Sequence, residues 1–352
     1  MITLNIMMMA SSNPFQKESI QKIAIFRALQ LGDMLCAIPA VRAIRKAYPE
    51  ASITLIGLPW QTNLVQRFPM YFDQFIAFPG WPGLPERSFE PLQVINFLCE
   101  VNANAFDLVV QMQGSGEITN PLCRLFGARH VLSFCKSASP FAGNELTLAL
   151  TDDEHEITRC LKLVSLIGAN DQEPFLEFPV SPNEREGAKE IQNELGLVQK
   201  KYVCLHPGAR DVRRRWPTHY FAKIATAVSQ YGYTVLLTGS LEEGTILDEV
   251  ASLAEASVVN LVACKGHVGI GELAQLIADS AGLISNDTGV SHIASALRTR
   301  SIILFSEFSE PHRWAPLNRD LHKVILRDEQ KQFGLFLQQK LNHVLTPVEA
   351  GV

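Results

Sequence analysis

Arg210, Arg213, Arg214 and Arg215 crowd into six positions of the stretch PGARDVRRRWP at 207–217. Such a cluster is either a solvated loop or the seat of an anion. A second stretch, SNDTGVSHIASAL at 285–297, joins an apolar run to an amphipathic pattern. There Asp287 or Thr288 would cap a helix, and Gly289 would let a ligand approach its exposed amides, which is how helix N-termini hold phosphate. His292 lies across the helix from Val290, Ile293, Ala294 and Leu297, so it is expected to face a cleft. A third turn, LGD at 31–33, sets Gly32 and Asp33 directly after an apolar run and puts one carboxylate at a sheet mouth, where it could take a proton from a nucleophile. Each turn has a plainer alternative, a helix cap or a charged loop. The basic loop and the glycine turn converge on one sheet edge, and together they point to a diphosphate.

These turns need a sheet whose strands end together. Short β-rich runs alternate with helical patterns: 22–28, 53–58, 107–112, 202–206, 234–239, 282–286, 301–305 and 323–327 read as strands, most of them continuously apolar as strands covered on both faces should be. Between them, stretches such as AIPAVRAIRKAYP and YFAKIATAVSQYG carry apolar residues at helical spacing, which predicts parallel sheets flanked by helices. The proline-bearing DQEPFLEFPVSPNE at 171–184 reads as a linker between Rossmann-like halves at 1–178 and 184–328. Phe333, Leu337, Leu341 and Val344 mark one face of a helix over 329–345 that is expected to pack back onto the first half. Pro39 predicts a kink in the first helix, and Arg42, Arg45 and Lys46 make that helix basic: a solvated face, or a peripheral contact with anionic lipid as the lesser reading. The long irregular loop FPGWPGLPERSFEP at 78–91 is where acceptor contacts are expected.

Composition excludes several classes. The chain has 352 residues, 47% hydrophobic and 19% charged, with a net charge of −5, which suits two domains and gives the whole molecule no electrostatic reason to seek nucleic acid. The seven cysteines are scattered and never form Cys-x-x-Cys, so neither a disulfide framework nor a zinc site is indicated and a reducing, cytoplasmic setting fits. No apolar run approaches the ~18 residues of a membrane span. The opening MITLNIMMMASSNPFQ lacks a basic n-region and is expected to be a loose tail. A dinucleotide-binding G-x-G-x-x-G is absent, GSGEITN at 114–120 having only the first two glycines, and a Walker A loop is absent too.

LGDMLCAIPAVRAIRKAYP, HPGARDVRRRWP, LTGSLEE and SNDTGVSHIASA, in this order, resemble glycosyltransferase family 9, typified by ADP-heptose:lipopolysaccharide heptosyltransferases, from about residue 22 to 327. The resemblance implies an α/β chain of GT-B architecture, two Rossmann-like domains with parallel sheets facing across a cleft, acceptor on the first and nucleotide-sugar on the second. It implies an inverting transfer of heptose from ADP-heptose to a lipid-linked or core-oligosaccharide acceptor at the inner face of the cytoplasmic membrane. By motif, Asp33 stands at the family's proposed catalytic base, and Arg214, with Arg213 beside it, stands where many members have a lysine facing the donor phosphates. Asp287, Thr288, Gly289 and His292 match the nucleotide-sugar motif. Glu243 answers an acid near the nucleoside, although Ser240 and Glu243 also have capping-box spacing. Gly32 and Gly208 are the turn glycines of their loops. No Asp-x-Asp pair occurs, and no metal or cofactor is expected. Two departures stand out: arginine for lysine at 214 changes reach and geometry, and SEFSEPHRWAP at 306–316 replaces a glycine-containing turn, placing Ser306 and Glu307 toward the sugar pocket. Rival readings of the same architecture are a non-catalytic nucleotide-sugar-binding scaffold and a nucleotide-sugar epimerase.

Overall fold

The structure, a computed structural model, describes residues 19–136, 144–171, 173–327, 339–342 and 344–345. The N-terminal tail, Phe333 and Leu337 lie outside them. The chain divides into two compact units between Phe175 and Leu176, inside the proline-bearing 171–184 stretch.

Each unit carries a six-stranded sheet. In the first, β1 (Lys22–Phe26), β2 (Ser52–Gly57), β3 (Gln74–Ala77), β4 (Leu108–Gln111), β5 (His130–Cys135) and β6 (Glu145–Ala149) lie in the order β3-β2-β1-β4-β5-β6. In the second, β7 (Tyr202–His206), β8 (Thr234–Leu237), β9 (Val258–Asn260), β10 (Gly282–Asn286), β11 (Ser301–Phe305) and β12 (His322–Leu326) lie in the order β12-β11-β10-β7-β8-β9. Every pairing is parallel. Both sheets thus have the doubly wound order whose direction of winding reverses once, between β1 and β4 in one unit and between β7 and β10 in the other. Ligands of such sheets bind outside the strand ends at that reversal.

The central strands are buried along their whole length, as their apolar runs predict: β7, β10 and β11 expose none of their residues. Four strands, β3, β5, β6 and β9, go beyond the apolar-run reading. Three are sheet edges, short and half-covered, so water keeps part of their polar sequence satisfied. The fourth, HVLSFC, is interior, and its His130 and Ser133 interrupt the apolar run. The first unit's core gathers Phe26, Phe78, Phe97 and Phe126 edge to face, with ring centroids 5.1–5.8 Å apart, fixing the strand that leads into the LGD turn.

Two expectations are corrected here. Leu341 and Val344 of the last apolar stripe pack in the core of the second unit, beside Val203, Ile284 and Ile325, rather than on the first half, because Gly282 and its neighbours leave an apolar seat for Val344. Arg42 and Arg45 do not form a solvated face. Arg42 is buried, donates to the Phe175 carbonyl at 3.3 Å and stacks on the Phe175 ring, while Arg45 pairs with Asp73 at 2.5 Å and donates to the Tyr71 carbonyl. Lys46 pairs with Asp171 at 2.6 Å. Pro39 lies within one continuous helix, Leu31–Ala47.

Candidate active site

At the reversal point of the first sheet, β1 ends and its chain turns into the helix Leu31–Ala47. The cap is Gln30, and Asp33 is the third helical residue rather than the cap itself, its Oδ2 accepting from the Gln30 amide at 3.3 Å. The carboxylate keeps 24% of its side-chain surface exposed, so it is held in place yet reachable. Gly32 lies in the same first turn.

Beneath it sits Arg27, fully buried just after β1. Its Nε donates to the Asp33 carbonyl at 2.9 Å, its Nη1 to the Met112 carbonyl after β4, and its Nη2 to Glu156 Oε1 at 2.8 Å. Nη2 also lies 3.9 Å from Asp33 Oδ1. One planar guanidinium therefore ties the end of β1, the end of β4 and the first turn of the helix Leu31–Ala47 together. Beside it the Ala28 amide donates to Gln113 Oε1 at 2.7 Å, a second clasp across the reversal. Glu156 is buried too and pairs through Oε2 with Arg159 at 3.3 Å. Burial opposes charge on Arg27, but Cys160, Glu156 and Asp33 outweigh it and hold the guanidinium above its ordinary pKa. Burial and the Glu156 carboxylate push the Cys36 thiol, one helical turn beyond Asp33, well up, so it stays neutral. The charges of Arg27, Glu156 and Arg159 were not legible as a site, since Arg27 lies 129 residues before Glu156 in sequence with no shared motif.

The second sheet repeats the plan with different groups. Asn286, the last residue of β10, is fully buried, donates to the Pro207 carbonyl at 2.7 Å and accepts from the Trp216 amide at 3.0 Å. It thereby fixes both ends of the arginine loop beside the 287–289 turn. Next to it, Asp287 is buried and its Oδ2 lies 3.4 Å from Arg214 Nη1. Thr288 is the cap of the helix Gly289–Ala296, but its side chain makes no capping bond.

The three adjacent arginines part company. Arg213 forks onto Asp211 at 2.8–3.2 Å, holds that carboxyl down at about 2 through its hydrogen bonds, and lies over the Phe308 ring. Arg215 donates to the Ala209 carbonyl at 2.7 Å and reaches within 3.9 Å of Glu243. Arg214 alone of the three meets the 287–289 turn, and its Nε is buried with no hydrogen-bond partner among the described residues.

Glu243 closes the capping box its spacing predicts, accepting at Oε2 from the Ser240 amide at 2.9 Å and the Ser240 hydroxyl at 3.1 Å. It also fills the space above Gly208, where an added Cβ would lie 2.1 Å from Glu243 Oε1. Gly208→Ala must therefore push the carboxylate off Ser240. Denaturant unfolding is expected to show a loss of roughly 1–3 kcal/mol, whereas in a Glu243→Ala background, where the colliding group and its bonds to Ser240 are already gone, Gly208→Ala should cost little more. Nearby, His206 at the end of β7 shares a proton with the Thr238 hydroxyl at 3.0 Å; burial lowers its pKa against the opposing pull of Glu243, so it sits neutral.

His292 departs from expectation. It is 4% exposed, its ring edge-on to Trp314 with centroids 6.3 Å apart, so it supports the helix from within instead of facing open space. The helix Gly289–Ala296 is covered on both sides, which a single apolar stripe does not anticipate. Among the described residues, no group of histidines, cysteines and carboxylates is arranged to hold a metal ion, and no helix is long and apolar enough to cross a membrane.

Comparison with known proteins agrees with this layout. The model of glycosyltransferase family 9 (heptosyltransferase) matches residues 94–344. Lipopolysaccharide heptosyltransferase 2 of Escherichia coli K12 is 31% identical over 324 residues, covering 87% of this chain and 88% of that protein. Lipopolysaccharide heptosyltransferase 3 of the same strain is 26% identical over 308 residues, covering 85% and 86%. A glycosyl transferase family 9 structure from Veillonella parvula superposes with a TM-score of 0.74 at 19% identity, over 92% of this chain and 91% of that one. The E. coli ADP-heptose lps heptosyltransferase II structure gives 0.71 at 20% identity, over 93% and 99%. These structural likenesses bear on the fold, which is of the GT-B class.

Proposed function

This chain belongs to glycosyltransferase family 9, and from that premise we propose that it moves heptose from ADP-heptose to a lipopolysaccharide-core acceptor, with inversion and without a metal ion. Asp33 accepts the proton of the acceptor hydroxyl as that oxygen bonds to the anomeric carbon. The carbon's bond to the diphosphate breaks on the opposite face, and the electron pair leaves with ADP. The centre passes through an oxocarbenium-like state. The observation that carries this reading is Arg214: a guanidinium with a buried donor to spare, beside Asp287 and a helix start whose cap residue, Thr288, makes no side-chain bond to it. A diphosphate supplies the missing acceptors, and the fixed positive charge there takes up the negative charge that grows on the leaving group. Arg213 is spent on Asp211, which favours Arg214 as the phosphate contact.

Glu243, buried between Gly208 and Ser240, is the candidate contact for the nucleoside, and Ser306 and Glu307 after β11 are candidates to shape the sugar pocket. His292 then serves by supporting the phosphate turn. The acceptor falls to the first unit, with lipid linkage at the inner face of the cytoplasmic membrane.

The test is transfer itself, read by mass spectrometry with ADP-heptose and core-oligosaccharide acceptors in the presence of EDTA. Donor consumed without acceptor would point to an epimerase, and donor bound but never consumed to a scaffold. Calorimetry with ADP should show Arg214→Ala weakening binding about 10- to 100-fold, the worth of one charge-assisted hydrogen bond. Arg213→Ala should bind within about threefold of wild type by the same arithmetic. The reverse ranking would hand the phosphate role to Arg213.

A further inference from the structure

We propose that Glu156 sets the proton affinity of Asp33 through Arg27, a positioning residue acting by charge on a base it does not need to touch; this rests on Asp33 being the base. The residues form an alternating row. Asp33 Oδ1 lies 3.9 Å from Arg27 Nη2, the same nitrogen donates to Glu156 Oε1 at 2.8 Å, and Glu156 Oε2 meets Arg159 at 3.3 Å. Arg27 is fully buried and Glu156 is 2% exposed, so water screens this row little. The charged and titratable groups around Asp33 in this row are Arg27 after β1, Cys36 on its own helix, and Glu156, Arg159 and Cys160 on the helix Glu156–Ser165.

An arginine beside a carboxylate favours the charged form and lowers its pKa. Unopposed, buried Arg27 would leave Asp33 too weak a base to draw a proton from a sugar hydroxyl, because base strength follows proton affinity. Glu156 counters Arg27 and keeps Asp33 basic. Arg159 in turn moderates Glu156.

This row predicts shifts of opposite sign. Glu156→Gln keeps the side-chain shape and an oxygen for Arg27 but removes the charge, so the acid limb of kcat/KM should move to lower pH by on the order of one unit. Arg159→Met leaves Glu156 stronger, and the limb should move to higher pH by a smaller amount. A residue that merely braces the fold would lower the melting temperature and leave both limbs in place. The carboxyl carbon of Asp33, labelled with ¹³C and assigned by its loss in Asp33→Asn, is titrated by NMR in wild type and both variants. Displacements in opposite directions sustain the proposal; an unmoved Asp33, or one moved the same way in both, overturns it. If Glu156→Gln does not fold, the upward shift in Arg159→Met decides alone. Should wild type transfer no sugar, the proposed function fails, while the NMR titration still reports whether Glu156 governs Asp33.

Discussion

Asp33→Asn is expected to fold like wild type and to lose sugar transfer by about 10²–10⁴-fold, the usual worth of a positioned general base. The substitution separates the two jobs this residue can do. In the structure Asp33 Oδ2 accepts from the Gln30 amide at 3.3 Å, and an asparagine carbonyl oxygen can accept the same bond. The turn is also held by Arg27, whose Nε bonds to the backbone carbonyl of residue 33 and not to its side chain. Melting temperature should therefore stay close to wild type, and ADP affinity should be unchanged, since the nucleotide is assigned to groups of the other unit. What asparagine cannot do is take a proton. A variant with wild-type turnover would remove Asp33 from the chemistry and leave it a helix-capping residue. A variant with lost turnover and lost ADP binding would instead signal damage beyond the base.

The turns at 31–33 and 287–289 could be read from sequence as helix starts because each is a local feature. Glycine, a short polar side chain and a helix start lie within a few residues of one another, and a strand in front of them announces where they must sit. Neighbouring charges were a different matter. Arg213, Arg214 and Arg215 are equivalent in a sequence, and what separates them is the identity of the nearest carboxylate or carbonyl: Asp211 for the first, Asp287 for the second, Ala209 and Glu243 for the third. Two of these partners are local, but Asp287 comes from a distant strand end. His292 misled for a related reason. Helical periodicity identifies the face toward the sheet, but it has no knowledge of Trp314, which arrives from beyond β11 and covers the other face. Asn286 was visible only as part of a motif, and its task, binding the Pro207 carbonyl and the Trp216 amide, exists only once β10 lies against β7. The edge strands β3, β6 and β9 were missed because an edge needs apolar residues on fewer sides, which weakens the pattern that betrays interior strands.

Arg27→Met should be strongly destabilising. Methionine fills a comparable volume but cannot donate to the carbonyls of Asp33 and Met112 or answer the Glu156 carboxylate. Removing one member of a buried ion pair costs about 3–5 kcal/mol because the other charge is left in a poor solvent. For a unit of this size each kcal/mol is worth about 2–4 °C, so a fall of roughly 6–20 °C in melting temperature is expected. Lysine should recover only part of it, since one ammonium cannot span three acceptors set out for a planar fork. The informative variant replaces the row, Arg27→Met with Glu156→Leu and Arg159→Met. Well-packed apolar residues in place of a buried arginine–glutamate–arginine set can be as stable as the charges they remove, so much of the lost melting temperature should return. Transfer should not return in full, because Asp33 would keep its carboxylate but lose the guanidinium whose Nε fixes its turn. Stability regained together with full turnover would mean that the row serves only the fold; stability regained with turnover still lost ties these buried charges to the reaction.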